Sequence, residues 1–556
     1  MTGDDRRALL ERAEAWLADD PDERTRAELS RLVEEVREGS GSGADAELAD
    51  RFDGRLEFGT AGLRGALGAG PNRMNRAVVI RAAAGLAAYL REQGAGTQST
   101  VVVGFDARHD SDVFAEDTAA VMLAAGLQAV VLPRPLPTPV LAYAIRKLGC
   151  AAGVMVTASH NPPQDNGYKV YLGDGSQIVP PADAEISMHI DAVRAVADVP
   201  RAEGWRRLDD AVVDAYVDDV SALVGPGPRE LSIVYTPLHG VGGDTVARVL
   251  ERAGFAAPHV ATAQAQPDPD FPTVAFPNPE EPGAMDLAMA LAADVGADVV
   301  VANDPDADRC AVAVPDSHGW RMLRGDEVGA LLGDAALRRG VQGVYANSIV
   351  SSSLLGALAA SYGCKHRETL TGFKWIGRVE GLVYGYEEAL GYCVAPELVK
   401  DKDGVSALLR VVELAAQLKA EGRTLVDRLD EIARTHGLYA TDQLSARFTE
   451  LSQIGAVMER LRTSPPATLG GLAIESMHDL SAGSADLPPT EGLRFRLAEH
   501  ARVIVRPSGT EPKLKCYLEV VVPVDPDEQD GVDAARISAV GRLDAIRADL
   551  SAAAGL

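Results

Sequence analysis

The sequence predicts a multidomain α/β protein whose C-terminal part forms a smaller α+β domain. Its 556 residues exceed what one hydrophobic core can organise. Apolar strand-like runs alternate with helical stretches, a pattern typical of βαβ units around a largely parallel sheet. The pattern restarts near Leu231 and again near Gly343, so three similar α/β domains are expected before the C-terminal one.

The N-terminal part of the chain predicts a helical extension. Residues 1–38 have the spacing of charged amphipathic helices, with Trp16 on the apolar face. The GSGSG sequence at residues 39–43 predicts a flexible break. The main body is expected from about Arg51, so the extension is assigned to residues 1–50.

The remaining elements define four domains. The first has predicted helices Asn75–Glu92 and Val113–Ala125, with strands Thr100–Val103, Gln128–Leu132 and Ala151–Thr157. The second has strand Leu231–Tyr235, helix Asp244–Ala253 and strand Asp298–Ala302, and the third has strand Gly343–Asn347 and helix Ser351–Tyr362. The fourth has strands Leu493–Leu497, Ala501–Val505 and Lys515–Val522 before helix Gly531–Ala552. The domain ranges are set at 51–208, 209–322, 323–445 and 446–556.

Composition argues against several classes of protein. The net charge of −27 disfavours a nucleic-acid partner, which would require a basic surface. No window supplies the roughly 18 apolar residues of a membrane span, and the N-terminus lacks the apolar run of a signal peptide. The five dispersed cysteines argue against a disulfide framework or a structural zinc site. We therefore expect a cytoplasmic protein.

Three aspartates stand at alternate positions directly after a predicted buried strand. Asp298–Arg309 reads DVVVANDPDADR, and strand-like spacing would place Asp304, Asp306 and Asp308 on one side. Converging carboxylates repel unless a cation lies among them, and hard oxygen ligands favour Mg²⁺. The end of a parallel strand is a usual ligand site. A solvated acidic turn is the alternative interpretation.

Another predicted strand delivers a serine into a loop. Ala151–Tyr171 reads AAGVMVTASHNPPQDNGYKVY, and two prolines keep the loop after Ser159 non-helical. Ser159 could be an acyl-transfer nucleophile with His160 as base, but sequence neighbours rarely point at each other and the G-x-S-x-G elbow is absent. A phosphate-accepting hydroxyl needs a metal and cations, which this chain supplies, with Lys169 as a charge clamp or proton shuttle. An ordinary turn is the structural alternative.

A phosphate cradle is predicted near the C-terminus. The sequence RPSGTEPK, at Arg506–Lys513, follows a predicted strand. Arg506 offers a planar, two-pronged hydrogen-bond donor, Ser508 and Thr510 offer hydroxyl groups, and Gly509 lets the backbone approach a ligand closely. It is not a Walker loop, and a Pro/Gly turn between strands is the alternative.

Glycine-bounded segments supply further candidates. GYEEALGY at Gly385–Tyr392 places Glu387 beside Glu388, which suits hydrogen bonds to sugar hydroxyls better than glycosidic acid/base chemistry. GTAGLRG at Gly59–Gly65 carries Arg64. TGFKW carries Thr371, Gly372 and Lys374. A charged or glycine-rich turn is the alternative for each.

The four main motifs together form a specific set. TASHNP, DPDADR, GYEEALG and RPSGTEPK occur in this order, one per predicted domain. The set resembles the α-D-phosphohexomutase superfamily, which includes phosphoglucomutases and phosphomannomutases. The resemblance extends from about Gly59 to about Val522 and implies four domains around a central cleft, each contributing one loop.

The resemblance also implies roles for the motif residues. Ser159 would be a phosphoserine, and Asp304, Asp306 and Asp308 would hold one Mg²⁺ per chain with a phosphoserine oxygen as a further ligand. His160 and Lys169 would flank the transferring group, and Arg64 would support the site. Arg309, Thr371, Gly372, Lys374, Glu387 and Glu388 would bind substrate, and Arg506, Ser508, Gly509 and Thr510 would grip the phosphate that is not reacting.

The sugar loop departs from the Gly-Glu-x-Ser-Gly of many hexose enzymes, because Ala389 removes the hydroxyl. This resembles the branch with phosphopentomutases, glucose-1,6-bisphosphate synthases and some bacterial phosphoglucomutases. We expect transfer between C1 and C6 of glucose phosphate, with mannose phosphate also turned over, through a sugar bisphosphate that also serves as activator. A pentose phosphate substrate or bisphosphate synthesis is the alternative within the family.

Two other classes of function also stand as alternatives. A phosphatase or serine hydrolase would release phosphate or cleave an acyl bond without a bisphosphate, and a sugar-phosphate binding protein would carry no labelled serine. The expected partner is a small phosphosugar substrate, and no nucleic-acid or membrane partner is expected. The protein itself is expected to be a monomer or a homodimer.

Overall fold

The chain divides into two compact units. The first consists of Met1–Met322 and Gly391–Ala416, and the second of Leu323–Leu390 and Gln417–Leu556. The computed structural model describes residues 3–39, 42–59, 62–316, 319–448, 451–484, 487–508, 513–525 and 530–556. Over these ranges, no helix combines the length and apolar character needed to cross a lipid bilayer.

The helices and strands are numbered in chain order. The helices are α1 (Gly3–Asp19), α2 (Glu23–Glu38), α3 (Ser42–Arg51), α4 (Arg76–Glu92), α5 (Ser111–Ala124), α6 (Thr138–Lys147), α7 (Ala182–Asp191), α8 (Ala211–Ser221), α9 (Gly242–Arg252), α10 (Asp286–Val295), α11 (Gly325–Arg338), α12 (Leu354–Ser361), α13 (Phe373–Ile376), α14 (Gly404–Ala420), α15 (Leu425–His436), α16 (Leu451–Thr463) and α17 (Gly531–Ala554). The strands are β1 (Leu63–Ala66), β2 (Thr100–Phe105), β3 (Gln128–Val131), β4 (Ala152–Val156), β5 (Asp165–Leu172), β6 (Arg206–Arg207), β7 (Ile233–Thr236), β8 (His259–Val260), β9 (Val299–Ala302), β10 (Ala311–Asp316), β11 (Gly319–Met322), β12 (Val344–Ser348), β13 (Lys365–Thr369), β14 (Leu382–Glu387), β15 (Gly391–Cys393), β16 (Leu438–Arg447), β17 (Thr468–Leu469), β18 (Leu472–Asp479), β19 (Leu493–Leu497), β20 (Arg502–Pro507) and β21 (Lys513–Val522).

The N-terminal helices form a small apolar cluster of their own. Leu9, Leu29 and Leu48, from three successive helices, are buried in it, and Trp16 packs against it. The expected amphipathic faces are therefore present. The predicted break over residues 39–43 is wrong for Ser42 and Gly43, which belong to α3; residues 40 and 41 lie outside the described residues.

The first α/β sheet positions the serine loop. Its strand order is β1-β5-β4-β2-β3-β6. Strand β2 pairs in parallel with β3 and β4, whereas β5 runs antiparallel to β4 and β1. The apolar residues of β2 and β4 are buried because helices cover both faces of the sheet. The chain leaves β4 at the edge where β5 begins, so the serine loop joins two neighbouring strands.

The second sheet positions the aspartate loop. Its order is β11-β10-β9-β7-β8, with β7 parallel to β8 and β9, and β10 antiparallel to β9. Strand β9 ends at Ala302, two residues before the first aspartate. As expected for a parallel strand, its carboxyl end opens into a polar loop.

In the second unit, a small parallel sheet precedes an antiparallel one. Strand β12 pairs in parallel with β13 and β14. The C-terminal sheet has the order β16-β21-β20-β19-β18-β17, and every neighbouring pair of strands is antiparallel. Residues of α16 and α17 are buried against it. The prediction of a C-terminal α+β domain is confirmed, although β16 to β18 and α16 were not predicted.

Two predicted boundaries differ from the structure. Strand β16 pairs with β21 from Leu438 to Arg447, so the C-terminal sheet starts before residue 446. The GYEEALGY segment was expected to be a loop, but its first residues, through Glu387, belong to β14. Pairing with β12 extends this strand because Tyr384 and Tyr386 are buried in the second unit.

Residues 391–416 are compact with the first unit although they follow the third sheet in sequence. Tyr171 donates a hydrogen bond to Asp401 at 2.8 Å, and Tyr216 donates to Asp403 at 2.8 Å. Gly404 approaches so closely that a Cβ there would lie 2.2 Å from the carbonyl oxygen of Arg309. The aspartate loop is therefore supported by a segment nearly a hundred residues further along the chain.

We expect the stability of the second unit to fall as pH rises from about 4 to about 6. Burial raises the pKa of Asp326 from 3.8 to about 6, although the backbone N–H of Ser352 donates to its carboxylate. The folded state then binds this proton more tightly than the unfolded state, so deprotonation costs up to about 3 kcal/mol. Urea unfolding from pH 4 to pH 7 should show Asp326→Asn gaining stability relative to the native protein. Exposed Asp294→Asn is the control, and parallel curves for native and Asp326→Asn would contradict the expectation.

Candidate active site

The serine loop holds Ser159 in a constrained position. Ser159 has a φ of 53°, which is uncommon for a residue other than glycine, and its side chain is 2% exposed. Its backbone N–H donates to Oγ1 of Thr157 at 2.8 Å. Its own Oγ donates to Oδ2 of Asp304 at 2.8 Å. The nucleophile candidate and the first predicted metal ligand are therefore in direct contact.

A buried arginine ties this loop together. The Arg108 guanidinium donates to the carbonyl oxygens of Ser159 at 2.7 Å, Asn161 at 2.6 Å, Pro162 at 2.8 Å and Asp165 at 3.1 Å. Four backbone acceptors around one rigid fork fix the path of the loop on both sides of Ser159.

The three aspartates converge through a turn. Ala307 has a φ of 52°, its N–H donates to the carbonyl of Asp304 at 2.8 Å, and the N–H of Arg309 donates to Oδ1 of Asp304 at 3.0 Å. Strand-like spacing was therefore the wrong reason for the expected convergence. A carboxylate oxygen from each of the three aspartates lies within 4.8 Å of the others, and all three residues are fully buried.

Two lysines approach the aspartate cluster. Lys169 Nζ donates to Oδ2 of Asp306 at 2.7 Å and to Oδ2 of Asp308 at 2.9 Å. Lys402 Nζ lies 3.1 Å from Oδ2 of Asp308. Burial opposes charge on Lys169, Asp306 and Asp308, but the ion pairs outweigh it: the pKa of Lys169 is raised, and the pKa values of the two aspartates are lowered.

Asp304 differs from its two neighbours. Burial raises the pKa of Asp304 well above the usual range, and the charges of Asp306 and Asp308 raise it further. Arg309 and the hydroxyl of Ser159 only partly offset this. A cation beside this carboxylate would remove the penalty.

The carboxylate set fits a divalent cation. Buried Oδ1 atoms of Asp306 and Asp308 have no hydrogen-bond partner among the described residues. Buried carboxylate oxygens are rarely left without a partner, and hard oxygen donors in this number suit a metal ion. The other carboxylate oxygen of Asp306, Oδ2, also accepts a hydrogen bond from the hydroxyl of Thr138 at 2.6 Å.

His160 lies unexpectedly close to the serine. Its Nδ1 is 3.2 Å from Oγ of Ser159, contrary to the expectation that these neighbours would point apart. Burial lowers the pKa of His160 well below 6.5, and the charges of Arg309 and Arg64 lower it further. Among the described residues no carboxylate holds the second ring nitrogen, so the base lacks the orienting acid of a hydrolase triad.

Two arginines complete the site in the first unit. Arg309 Nε lies 3.9 Å from carboxylate oxygens of both Asp304 and Asp308. Arg64 donates to Oδ1 of Asn161 in the serine loop at 3.2 Å. Gly62 makes this approach of β1 possible, because a Cβ there would lie 1.8 Å from the carbonyl oxygen of Tyr168.

The remaining candidates lie in the second unit. Glu387 accepts from the N–H of Gly372 at 2.6 Å, and Arg506 donates to the hydroxyl of Thr371. The carboxylate of Glu388 accepts hydrogen bonds from Ser351 at 2.8 Å and Ser348 at 3.1 Å. The TGFKW segment therefore contacts both Glu387 and Arg506.

Four further predicted residues belong to the TGFKW and RPSGTEPK motifs. Lys374 is in the short helix α13. Ser508 keeps a backbone hydrogen bond to Lys513 at 2.8 Å across the RPSGTEPK turn. Gly509 and Thr510 lie outside the described residues.

Comparison with known proteins decides the family. Models of the phosphoglucomutase/phosphomannomutase family match four successive regions: α/β/α domain I at residues 55–196, domain II at 214–319, domain III at 324–435 and the C-terminal domain at 448–528. The chain belongs to the α-D-phosphohexomutase superfamily. It is therefore a phosphosugar mutase, an isomerase that transfers a phosphoryl group, and the family implies a metal cofactor.

Similar proteins differ in the sugar that their names specify. A probable phosphomannomutase of Haemophilus influenzae is 49% identical over 80% of this chain and 93% of its own length. A probable phosphoribomutase of Schizosaccharomyces pombe is 37% identical over 92% of this chain and 93% of its own. The crystal structure of a putative phosphomannomutase from Thermus thermophilus aligns with a TM-score of 0.68 and 25% identity, covering 88% of this chain and 99% of that one.

Sequence reasoning missed three residues at the site of this superfamily member. Arg108 follows β2 in the sequence DAR, so a charged pair directly after a buried strand was the available signal. Lys402 lies in the charged sequence DKD, far along the chain from the three aspartates, and only the folded structure places it beside Asp308. Thr138 begins α6 and carries no distinguishing pattern.

We expect Arg108→Lys to lower the kcat of this mutase about 10²-fold with little change in KM. Lysine keeps the charge but cannot hold four carbonyl groups at once, so the loop would relax around Ser159, and misplacement by about 1 Å costs this much. Steady-state kinetics and thermal melting would measure the two effects. Arg91→Lys, an exposed arginine that also donates to a backbone carbonyl, is the control. Unchanged kcat in a folded Arg108→Lys protein would show that the loop does not depend on this side chain.

Proposed function

We propose that this mutase moves a phosphoryl group between C1 and C6 of a hexose phosphate, with glucose phosphate preferred and mannose phosphate also used. The contact of 2.8 Å between Ser159 Oγ and Asp304 carries the proposal. It places a hydroxyl against a buried carboxylate cluster that has unpaired oxygens. This is the arrangement required to load and unload a phosphoserine beside a cation.

The proposed cation is Mg²⁺, held by Asp304, Asp306 and Asp308, with a sugar bisphosphate as activator. Bound there, it would offset the negative charge of the transferring group. The anionic oxygen donors and their burial support a hard cation of this kind.

The residues of this chain have distinct proposed tasks in the transfer. The bond between phosphorus and Oγ of Ser159 breaks as a bond forms to the substrate hydroxyl, whose proton would pass to the imidazole of His160, kept neutral by its lowered pKa. Lys169, whose pKa is raised, is protonated in this arrangement and would donate a proton to Oγ as it leaves. His160 would orient Oγ through Nδ1. The second transfer, from the bisphosphate back to Ser159, reverses these events.

Recognition of the substrate is proposed for the second unit and for Arg309. The carboxylate of Glu388 accepts hydrogen bonds from the hydroxyl groups of two serines, which supports a role in binding sugar hydroxyls. Glu387 would share this role. Arg506, with Thr371, Gly372, Lys374, Ser508, Gly509 and Thr510, would hold the phosphate that is not reacting. Arg64 would keep the serine loop in place through Asn161.

The hexose assignment is tested against pentose phosphates. Relatives named for mannose and for ribose both cover most of the chain, so the discriminating experiment is a substrate panel. Glucose, mannose and ribose 1-phosphates would be supplied separately, each with glucose 1,6-bisphosphate. We expect the largest kcat/KM for glucose 1-phosphate, followed by mannose 1-phosphate. A larger value for ribose 1-phosphate would make the protein a phosphopentomutase.

The cysteines support the proposed cytoplasmic location. All five are free thiols, and four of them are buried. Free cysteines of this kind are typical of a reducing compartment.

A further inference from the structure

A cavity, here called the N-terminal cavity, lies between the N-terminal helices and the first α/β domain. Its volume is about 1110 Å³, which is large enough for a metabolite. Helix α1, the residues after α3, and helices α4 and α7 line it. Helices α1 and α3 precede residue 55, where the family match begins, so one wall of the cavity comes from outside the matched domains.

The inner wall of this N-terminal cavity is apolar and aromatic. Phe52, Phe58 and Leu63 are buried and contribute to it together with Trp16 and Leu56. The rings of Trp16 and Phe52 meet edge to face, with centroids 6.4 Å apart. This surface suits a ring or another flat apolar group.

The rim of the N-terminal cavity carries four arginines. Arg81 pairs with Asp19 at 2.9 Å, and Arg55 pairs with Asp191 at 3.0 Å.

The other two arginines of the rim, Arg12 and Arg194, are exposed and have no carboxylate partner among the described residues, although Arg12 donates to the carbonyl oxygen of Phe52 at 3.1 Å. Glu57 is the remaining acidic residue of the lining. In a chain with a net charge of −27, the two guanidinium groups that no described carboxylate neutralises make this rim more positive than the chain as a whole. The charge of the rim therefore favours an anion.

The cavity is connected to the serine loop through β1. Leu63 lines the cavity, and the next residue, Arg64, donates to Asn161. Leu63 also pairs with Tyr168, which precedes Lys169 in β5. A ligand that fixes Leu63 would therefore restrain β1 and, through it, β5, the strand that follows the serine loop.

We propose that the N-terminal cavity binds an amphipathic anion, a phosphate or carboxylate attached to a flat ring, and that binding restrains the serine loop. The apolar wall takes the ring, and Arg12 and Arg194 take the charge. The proposed site is separate from the catalytic site. Binding of the anion does not depend on the proposed function, and only an effect of binding on turnover rests on it.

The test uses ADP as the probe, because it joins an aromatic ring to phosphates. Calorimetry should show ADP binding at least 10-fold more tightly than inorganic phosphate or adenosine, a difference of about 1.4 kcal/mol. The Arg12→Ala/Arg194→Ala double variant should weaken ADP binding at least 10-fold. Both side chains are exposed, so the fold should persist, and thermal melting would verify this. Arg506→Ala should leave ADP binding unchanged.

The second readout is hydrogen exchange of residues 157–166, which does not depend on turnover. Saturating ADP should slow exchange there in the native protein and not in the double variant. ADP binding no tighter than phosphate, unaffected by the double variant, or lost in Arg506→Ala would overturn the site. Binding without slower exchange would overturn the link to the serine loop. Neither result depends on whether the chain isomerises hexose phosphates.

Discussion

Ser159→Ala is expected to abolish isomerisation, with kcat falling by at least about 10⁴-fold. Removing Oγ removes the atom that would carry the phosphoryl group, and no other described hydroxyl donates to Asp304. The fold should survive, because the loop is held by Arg108 through backbone carbonyl groups that alanine retains.

Intact mass separates this effect from a general loss of activity. After incubation with glucose 1,6-bisphosphate, the native protein should carry one phosphoryl group and the Ser159→Ala protein none. Ser361→Ala, which removes a hydroxyl bonded only to the carbonyl oxygen of Leu358, should remain phosphorylated and active. A phosphorylated Ser159→Ala protein, or one that keeps about a hundredth of native kcat, would place the acceptor elsewhere.

Removal of divalent metal is expected to lower activity at least about 10³-fold, with full recovery on addition of Mg²⁺. Without a cation, the buried carboxylate of Asp304 lies beside the negative charges of Asp306 and Asp308. The Oδ1 atoms of Asp306 and Asp308 then have no hydrogen-bond donor to contact among the described residues. Transfer would then proceed against that negative field.

Chelation followed by gel filtration gives the metal-free protein, and elemental analysis checks it. Calorimetric titration with MgCl₂ provides a readout other than activity. Asp308→Asn should weaken Mg²⁺ binding at least 10-fold, about 1.4 kcal/mol, whereas exposed Asp294→Asn should not. Native turnover in a protein shown to contain no metal would refute the assignment of this cluster.

The sequence predicted those features that depend on local pattern. Buried runs such as Val101–Val103 define parallel strands because both faces are covered by helices. Ser159 and the three aspartates were noticed because each group follows such a strand, and the ends of neighbouring parallel strands open into ligand sites. The superfamily assignment came from the order of four motifs and is confirmed by the family match.

The features that were missed depend on the path of the chain in space. Lys402 reaches Asp308 only because residues 391–416 pack with the first unit, and no periodicity encodes this return. The contact of Ser159 with His160 follows from a φ of 53°, which the residue type does not favour. Strand β16 was missed because none of its residues is fully buried, so it lacks a strong apolar face.

The return of residues 391–416 to the first unit has a consequence for synthesis of the protein. The ribosome makes Met1–Met322 first, but Asp401, Asp403 and Lys402, which contact Tyr171, Tyr216 and Asp308, emerge only later. Domains generally fold as units from the N-terminus during translation. Here the first unit cannot complete its folding until about residue 416 has left the exit tunnel of the ribosome. A nascent chain stalled at residue 322 should therefore be more sensitive to protease than one stalled after residue 416.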